Sequence, residues 1–486
     1  MSDLAARDSS GLAVRLAANT LVLAVGSFLG SVIAFFTFVA VTRSLGPEIY
    51  GHITAATVYL FIPTVIAEAG LSAVILREIS GHPERTEHAM RASLPLRFAV
   101  AFVFVGGATV LGLLLPFEYD TKVAILISSA GFFLTLLSVS ILPVLQATLR
   151  MHWAVAGNLL GRLVTLGITL AVLEAGMGLK AVVAAQAIGI GVTFLFQLAV
   201  VARVVSLRPL VDVPYWRELV AASLVLGLAI AFGQVYFRVD TLILALLTDA
   251  TEVGLYGAAY KFLELSEFVV SAFALSLLPP LARFVAVGDQ RARGLVQKAF
   301  DLLMAGAGAL AVLLFVFAED IVVVSAGPKF RDGAVALQIL APYVLFSFAN
   351  GLFFRVLIAA GRDRTLLGIS SGILVANVAL NLALIPEYGF KAAAWTSVVS
   401  EAAVCVPISL AVRRSGLLPG LSYLPVIAAG AAAMLLVAST VPGPPLAAGA
   451  AAALTYAGVL LALPGTARAF VFGDLLPALR RAVTSS

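Results

Sequence analysis

The sequence is poor in charge and contains only one cysteine. Charged residues make up 12% of its 486 positions, about half the share of a typical soluble domain, whereas hydrophobic residues make up 61%. Too few charges are present for a water-facing surface around a soluble core, so we predict a polytopic membrane protein. The single cysteine, Cys405, excludes an intramolecular disulfide and gives no information on the redox compartment.

The sequence also lacks the motifs of common energy-coupling and hydrolytic sites. It has no Gly-x-x-x-x-Gly-Lys-Ser/Thr loop for ATP and no recognisable Ser/His/Asp set. The histidines are expected in or next to loops, without metal-ligand spacing: His52, His82, His88 and His152. We therefore predict that the chain is not an enzyme and holds no metal or cofactor. Without ATP hydrolysis, any work done by the chain would draw on an ion gradient, the membrane potential or the gradient of a substrate.

Long apolar segments, in contrast, fill most of the sequence. A membrane-spanning helix needs about 20 mostly apolar residues, and short polar connections separate the segments that reach this length. We predict an all-α polytopic fold of about 14 transmembrane helices. The segments are 17–41, 51–75, 94–115, 122–147, 153–174, 180–202, 218–247, 254–281, 297–318, 334–360, 365–385, 391–412, 421–441 and 446–467. The N-terminus resembles a cytoplasmic tail rather than a cleaved signal peptide.

Basic residues are distributed unevenly along this alternating topology. With both termini in the cytoplasm, four of the 31 lysines and arginines lie inside spans, six lie in outer segments, and the rest lie in cytoplasmic segments. Positive charge favours the cytoplasmic side of a membrane. We therefore predict a multi-pass protein of the cytoplasmic (inner) membrane with both termini cytoplasmic. The net charge of +5 then reflects orientation rather than nucleic-acid binding.

An internal repeat divides the predicted helices. The segment 157–181 resembles 368–392, and a weaker match relates Gly51 to Gly254. The matched pairs include Gly157 and Gly368, Gly161 and Gly372, and Lys180 and Lys391. Because each repeat holds six helices, matched helices run in the same direction about an axis along the membrane normal.

The repeat predicts three parts of the chain. They are an N-terminal six-helix bundle at 1–203, a C-terminal six-helix bundle at 204–414, and two extra helices with a cytoplasmic tail at 415–486. In transporters built from repeats, the substrate site lies near the midplane at the repeat interface. We therefore expect a substrate cleft between the two bundles.

The stretch FRVDTLILAL at 237–246 places two charges inside an apolar segment. Buried charge in a membrane is costly, so such groups pair, face a cavity or mark a functional site. Arg238 and Asp240 are two residues apart, or about 200° around a regular helix, and so point in different directions. We predict that Arg238 binds a ligand and that Asp240 pairs with Lys261 on the next helix. Which of the two charges faces the cleft is left open by the sequence.

Other polar side chains in the spans extend this candidate site. We predict that substrate is bound by Arg238, Lys261, Arg355, Arg162 and Tyr260. Ion coupling or structural pairing is predicted for Asp240, Glu264, Glu68 and Glu401. Tyr260, Glu264 and Glu267 form one stripe, and Lys261 and Glu264 share a helix face. The alternative is that each charge belongs to a structural ion pair or reaches an interface, as Arg355 would do near the end of its span.

Several motifs together resemble one transporter family. They are TRSLGPEIYG at 42–51, FRVDTLILALLTDATEVGLYGAAYKFLE at 237–264, the pair Pro279 and Pro280, AAGRDR at 359–364 and NLALIPEYGFKAAAW at 381–395. Over about the whole chain, the sequence resembles the oligosaccharide flippases of the multidrug/oligosaccharidyl-lipid/polysaccharide exporter superfamily. The resemblance implies transfer of undecaprenyl-diphosphate-linked oligosaccharides to the outer leaflet for O-antigen, capsule or exopolysaccharide. It also implies two bundles, alternating access and a cationic central cavity.

Other functions are weighed against this one. A peptidoglycan-precursor flippase or a drug/cation antiporter of the same superfamily is the nearest alternative, although the antiporters typically have twelve helices. A membrane glycosyltransferase or polymerase usually carries a sizeable outer loop, which this sequence lacks. The expected partners are a lipid-linked oligosaccharide, membrane lipids, H⁺ or Na⁺, and a polysaccharide polymerase, with no nucleic acid.

Overall fold

The computed structural model describes residues 2–68, 70–440 and 444–469, and these contain helices but no strand. The chain divides into two compact units, Met1–Gly254 and Leu255–Ser486. A helix satisfies its backbone hydrogen bonds within the segment, as lipid requires because it offers none. The predicted all-α polytopic membrane fold is therefore confirmed. The predicted boundaries at 203 and 414 stay predictions.

The first unit contains ten helices and the first turn of an eleventh within the described residues. They are α1 Ser2–Leu45, α2 Pro47–Glu68, α3 Leu71–Gly81, α4 Thr86–Ala101, α5 Gly107–Leu114, α6 Tyr119–Ala147, α7 Met151–Glu174, α8 Leu179–Val201, α9 Val213–Tyr236, α10 Val239–Leu247 and the start of α11 Ala250–Ala286. A π-helical turn, Phe102–Gly106, joins α4 to α5. Helices α6, α7 and α8 pack together, and α1 packs against α7.

Helices α7 and α8 cross at two glycines that face each other. A Cβ on Gly161 would lie 2.5 Å from the Gly189 carbonyl oxygen, and a Cβ on Gly189 would lie 2.6 Å from the Gly161 carbonyl oxygen. Thr165 and Thr193 lie one turn further along, and their hydroxyls donate to those two carbonyls at 3.0 and 3.2 Å. Small residues four apart let two helix backbones approach closely in a membrane.

The first turn of α11 crosses α2 in a second close contact. A Cβ on Gly51 would lie 1.7 Å from the carbonyl oxygen of Ala250, and a Cβ on Gly254 would lie 1.9 Å from the carbonyl oxygen of Pro47. The two halves of the contact are equivalent. Gly51 meets the carbonyl of Ala250, four residues before Gly254, and Gly254 meets the carbonyl of Pro47, four residues before Gly51. This reciprocity is what a local twofold axis between the two glycines produces.

Polar contacts hold the beginning of α9 against α3 and α4. The carboxylate of Asp212 caps α9 by accepting a hydrogen bond from the Tyr215 amide at 3.1 Å. The Tyr215 hydroxyl donates to Glu78 at 2.8 Å, and the Trp216 indole donates to the Ala92 carbonyl at 2.6 Å. Burial is the larger cause, and the hydrogen bond to Glu78 the smaller one, of a pKa of Tyr215 that lies well above its usual value.

The second unit contains the rest of α11 and eight further helices within the described residues. These are α12 Arg291–Val316, α13 Ala318–Ala326, α14 Ala334–Leu340, α15 Tyr343–Ala359, α16 Asp363–Arg414, α17 Leu424–Thr440, α18 Pro445–Ala462 and α19 Thr466–Ala469. Helices α17 and α18 pack on each other and on α12. The Tyr456 hydroxyl of α18 donates to the Ala305 carbonyl of α12 at 2.7 Å, and Gly308 leaves room for its ring.

Helix α16 contains a kink at the position of a predicted loop. Gly389 has φ 56° and ψ −140°, a conformation open essentially to glycine alone. Helical residues continue on both sides, so the segments 365–385 and 391–412 form two arms of one kinked element. The matching glycines of the repeat differ in their contacts, because Gly157 packs on Phe196 whereas a Cβ on Gly368 would meet no described atom within 4 Å.

Each predicted apolar segment falls on helix within the described residues, but the count of fourteen spans is not confirmed. By length and composition, the described residues hold nine helices able to cross a membrane, or up to eleven if each bent pair is one span. The whole of Arg364–Arg414 counts as one such span. Arg480 and Arg481, two of the residues counted as cytoplasmic, lie outside the described part of the chain.

The expected place of one histidine is wrong. His52 lies inside α2 with 2% of its surface exposed, and its Nδ1 is 2.8 Å from the hydroxyl oxygen of Thr121 on α6. Helix α2 begins at Pro47, earlier than its apolar segment suggests, and this extra turn carries His52 into the interior. His88 lies 3.2 Å from Asp212 and packs edge-on against Tyr215.

Candidate functional site: charged and polar groups within the apolar helices

Arg238 lies at a break between two helices of the first unit. Helices α9 and α10 meet at Phe237–Arg238 with a bend of 50°. The guanidinium carbon of Arg238 lies 5.6 Å from the ring centroid of Phe61 on α2, within the range of a cation–π contact. The predicted segment 218–247 is therefore not one regular helix, which also explains why it is longer than a span needs.

Asp240 is two residues further on and is buried in the first turn of α10. One of its carboxylate oxygens accepts hydrogen bonds from the amide and the hydroxyl of Thr241, at 2.6 and 3.2 Å. An acidic group in the first turn of a helix is stabilised by the helix dipole. The angle of about 200° between Arg238 and Asp240 assumed one regular helix. That premise is wrong, because Arg238 lies in the break before α10. The Asp240–Lys261 pair stays a prediction.

Glu68 lies at the end of α2, beside a second helix break. Gly70 adopts φ 73° before α3 begins, and Glu68 accepts a hydrogen bond from the Ser72 amide at 2.9 Å. Its other oxygen lies 2.6 Å from the guanidinium of Arg97 on α4, which also donates to the Ser72 hydroxyl at 2.9 Å. Arg97 is 4% exposed, so this ion pair joins α2 and α4 in the interior.

Arg162 lies near the middle of α7. Its Nη1 donates to the Gly30 carbonyl of α1 at 2.9 Å, and the missing side chain of Gly30 lets the arginine lie against that helix. Within the described residues, no carboxylate forms an ion pair with it.

In the second unit, Lys261 forms an ion pair along its own helix. Its Nζ lies 2.7 Å from the carboxylate of Glu264, three residues further along α11. Both side chains are partly exposed, and they lie on the face predicted for them. Tyr260 is buried beside them, with its ring centroid 5.5 Å from that of Tyr256.

Glu267, also on α11, makes contacts with α15. Its carboxylate accepts a short hydrogen bond from the Ser347 hydroxyl, and the Arg355 guanidinium interacts with it electrostatically. Arg355 itself donates to the Gly351 carbonyl at 2.7 Å. Arg355 is thus half-buried, with an acidic neighbour and a backbone acceptor.

Glu401 is almost fully buried between α15 and α16. Its carboxylate and its backbone carbonyl both accept hydrogen bonds from the Asn350 amide, at 2.9 and 2.8 Å. The Asn350 carbonyl oxygen in turn accepts from the Cys405 thiol at 3.0 Å. The side chain of Asn350 therefore donates to Glu401 and accepts from Cys405 at the same time.

A chain of polar residues follows α16 across the kink, and sequence reasoning missed it. Asn377 donates to the Ser400 hydroxyl at 2.9 Å, and Asn381 donates to the Asn377 carbonyl oxygen at the same distance. The Thr396 hydroxyl donates to the Asn381 side chain at 2.6 Å. The four-residue spacing of two asparagines in an apolar segment was the available signal. Arg97 and Asn350 are the other missed groups.

The structure thus groups the predicted residues within each unit. Lys261 pairs with Glu264, Glu68 pairs with the unpredicted Arg97, and Arg355 lies near Glu267. Within the described residues, no group of three or more His, Cys, Asp or Glu side chains could hold a metal ion. The roles predicted for these residues in substrate binding and ion coupling stay predictions.

Comparison with known proteins identifies relatives of the chain. A family model described as "Polysaccharide biosynthesis protein" matches residues 16–285, which is more than half of the sequence. A protein of Escherichia coli (strain K12) named "Putative O-antigen transporter" is 23% identical over 380 residues, covering 76% of this chain and 88% of that protein.

Solved structures show the same fold. The lipid II flippase MurJ in an inward closed conformation superimposes with a TM-score of 0.75 at 13% identity, covering 93% of this chain and 99% of that chain. An inward-facing multidrug resistance MATE family transporter of the MOP superfamily gives a TM-score of 0.67 at 14% identity, covering 80% and 95%. At these identities, the likeness concerns the fold.

Proposed function

The chain belongs to the polysaccharide biosynthesis protein family, and we propose that it is a flippase for lipid-linked oligosaccharides. The substrate is an undecaprenyl-diphosphate-linked oligosaccharide, moved from the cytoplasmic to the outer leaflet by alternating access for surface polysaccharide assembly. The curated relative, whose name describes O-antigen transport, supports this substrate class. The chain is a multi-pass membrane protein. We place it in the inner membrane with both termini cytoplasmic.

The observation that carries the proposal is Arg238 at the break between α9 and α10. A broken helix at membrane depth is tolerated where the backbone lines a cavity or is buried in protein, and transporter substrate sites often use such breaks. The guanidinium is permanently charged, and its planar fork makes bidentate bonds to phosphate oxygens. Phe61 packs against one face of the guanidinium, at a distance typical of a cation–π contact.

Ion coupling and partners complete the proposal. Glu264, Glu401 and Asp240 are the acidic groups that would bind H⁺ or Na⁺, with Glu68 as a further candidate. A polysaccharide polymerase would receive the product at the outer leaflet. No covalent chemistry is needed for transfer between leaflets, so the proposed protein is a transporter rather than an enzyme.

The test replaces Arg238 in a strain that lacks its own copy of the gene. We expect Arg238→Ala to lower surface polysaccharide at least tenfold, because one charge-assisted bidentate contact contributes on the order of 2 kcal/mol. Arg238→Lys keeps the charge but loses the fork, and should restore export only partly. Surface polysaccharide is measured by immunoblot, and lipid-linked intermediates are measured in each leaflet.

The matched control is Arg217→Ala, which removes an exposed arginine near the start of α9, the helix that precedes the break. Its export should equal that of the wild type. Membrane insertion and yield are compared for all variants, so that misfolding is detected. Normal export by a well-inserted Arg238→Ala variant would remove Arg238 from the site. Failure of the wild-type chain to move any lipid-linked oligosaccharide would refute the function itself.

A further inference from the structure

An open polar cavity lies between helices α6, α7 and α8 of the first unit. Its volume is about 320 Å³, at the lower end of the range for small-molecule sites. Its polar walls include Ser138, Asn158, Arg162, Thr165, Thr193 and Gln197, and we call it the α6–α8 pocket. Ser138 and Arg162 both lie near the middle of their helices. A polar cavity at that depth is unexpected for helices that only pack against lipid and one another.

Ser138 supplies the first indication that a ligand binds here. Its side chain is only 9% exposed, and its hydroxyl has no hydrogen-bond partner within the described residues. Serine and threonine hydroxyls in apolar helices usually donate to a carbonyl of the preceding turn. Thr135 and Ser140 do so on the same helix, at 2.9 and 2.6 Å. An unmade hydrogen bond at a buried group is costly, so Ser138 indicates a missing partner in the cavity that it lines.

Arg162 supplies the second indication. Among the described residues that line the pocket, it is the one charged side chain. Within the described part of the chain, one of its five N–H donors is used, by the Gly30 carbonyl, and this bond holds the guanidinium against α1. A guanidinium fixed in this way, with donors left over, is arranged for an oxyanion.

The remaining walls suit hydroxyl groups. The hydroxyls of Thr165 and Thr193 donate to helix carbonyls, which leaves their oxygen lone pairs able to accept from a ligand hydroxyl. Gln197 donates to the Ala154 carbonyl at 3.4 Å and keeps its side-chain oxygen as an acceptor. Asn158, which is exposed, also lines the pocket. The glycine crossing of α7 and α8 fixes the positions of both threonines.

We propose that the α6–α8 pocket binds one carboxylate-bearing sugar of the transported oligosaccharide. This inference rests on the proposed function and adds an acidic sugar to its substrate class. A single arginine balances the single charge of a carboxylate, whereas a diphosphate carries at least two. The cavity volume fits one sugar ring, whose hydroxyls meet Ser138 and the threonines while its carboxylate meets Arg162.

Direct binding to the purified full-length protein in detergent tests the proposal. Glucuronic acid, glucose and inorganic pyrophosphate are the probes, and isothermal titration or ligand-observed NMR gives the affinities. We expect glucuronate to bind at least tenfold more tightly than glucose, because only glucuronate meets the guanidinium. Pyrophosphate should bind more weakly than glucuronate. Arg162→Gln should weaken glucuronate binding tenfold or more, while Arg217→Ala should match the wild type.

Ser138→Ala separates a binding role from a structural one. Removing a buried hydroxyl that has no partner should leave the melting temperature unchanged or raise it. Glucuronate binding should nevertheless weaken about threefold or more, because one hydrogen bond to the ligand is lost. A role in packing alone would lower the melting temperature and leave binding intact.

Three results would overturn the proposal. The first is that glucuronate binds no more tightly than glucose, and the second is that the Arg162→Gln or Ser138→Ala variant binds glucuronate as the wild type does. The third is that pyrophosphate binds more tightly than glucuronate through Arg162. The last would assign the pocket to phosphate. The outcome is independent of the export assay. Glucuronate binding without export of lipid-linked oligosaccharide would refute the proposed function and leave an acidic-sugar site. Export without such binding would refute the pocket alone.

Discussion

The reciprocal glycine contact between α2 and α11 makes a sharp prediction about helix packing. In Gly51→Ala, the new methyl group would lie 1.7 Å from the carbonyl oxygen of Ala250 and 2.6 Å from its carbonyl carbon. Both atoms are backbone, so no side chain can rotate away. The helices must separate by about 1.3 Å before the shorter contact reaches even 3.0 Å, the lower limit for real Cβ atoms.

The expected cost follows from this displacement. Overpacking of a well-packed contact typically costs 1–3 kcal/mol, and the absence of a flexible neighbour places Gly51→Ala at about 2 kcal/mol. For the first unit, Met1–Gly254, that corresponds to a melting temperature lower by roughly 4 °C. The purified protein is heated in one detergent, and the fraction that stays monodisperse is measured at each temperature. The midpoint of its loss gives the melting temperature.

The symmetry of the contact supplies a stricter test. Gly254→Ala should cost about as much as Gly51→Ala, because its methyl group would lie 1.9 Å from the Pro47 carbonyl oxygen. Either change opens the same crossing, so the double variant should cost about 1 kcal/mol less than the sum of the two. Gly368→Ala is the control, since no described atom lies within 4 Å of its new methyl group. A stable Gly51→Ala protein, or fully additive losses, would refute the reasoning.

Two further changes test individual polar contacts. Tyr215→Phe removes the hydrogen bond to Glu78 and should lower stability by about 1 kcal/mol near neutral pH. Because the folded state raises the pKa of Tyr215, its contribution is complete below about pH 10 and declines as the pH rises through the folded pKa. The phenylalanine variant should lack that alkaline decline in melting temperature; an identical alkaline decline in both proteins would contradict this. Asn350→Leu removes both donors to Glu401 and the acceptor of Cys405, and should cost about 2–3 kcal/mol. In a Glu401→Gln background the loss should be smaller, and equal losses in both backgrounds would argue against a charge-assisted bond.

Most of the helical architecture was predictable from the sequence. Apolar segments of spanning length leave the backbone no alternative to helix, so segments such as 122–147 and 153–174 coincide with α6 and α7 to within a few residues. Composition also predicted a membrane protein. These properties depend on local sequence and on the solvent, and neither requires knowledge of the partners of a helix.

The candidate site was predictable only in part. The charges of Glu68 and Arg238 stood out because charge is rare in apolar segments. The surroundings of these two charges were not predictable. The partner of Glu68 is Arg97 on another helix, and no glycine or proline in the sequence marks the helix break at Arg238. Asn350 carried no charge and was therefore overlooked, although it satisfies the buried Glu401.

The sequence alone determined that this chain is helical, crosses a membrane and places rare charges at membrane depth. Tertiary structure decided which of those charges are paired, as Glu68 is with Arg97, and which keep unused donors among the residues that the structure describes, as Arg162 does. It also decided that Ser138 and Arg162 line one cavity, although they lie on different helices. The physical reason is that helix formation is satisfied within a segment, whereas a buried polar group is satisfied by whatever another helix brings to it.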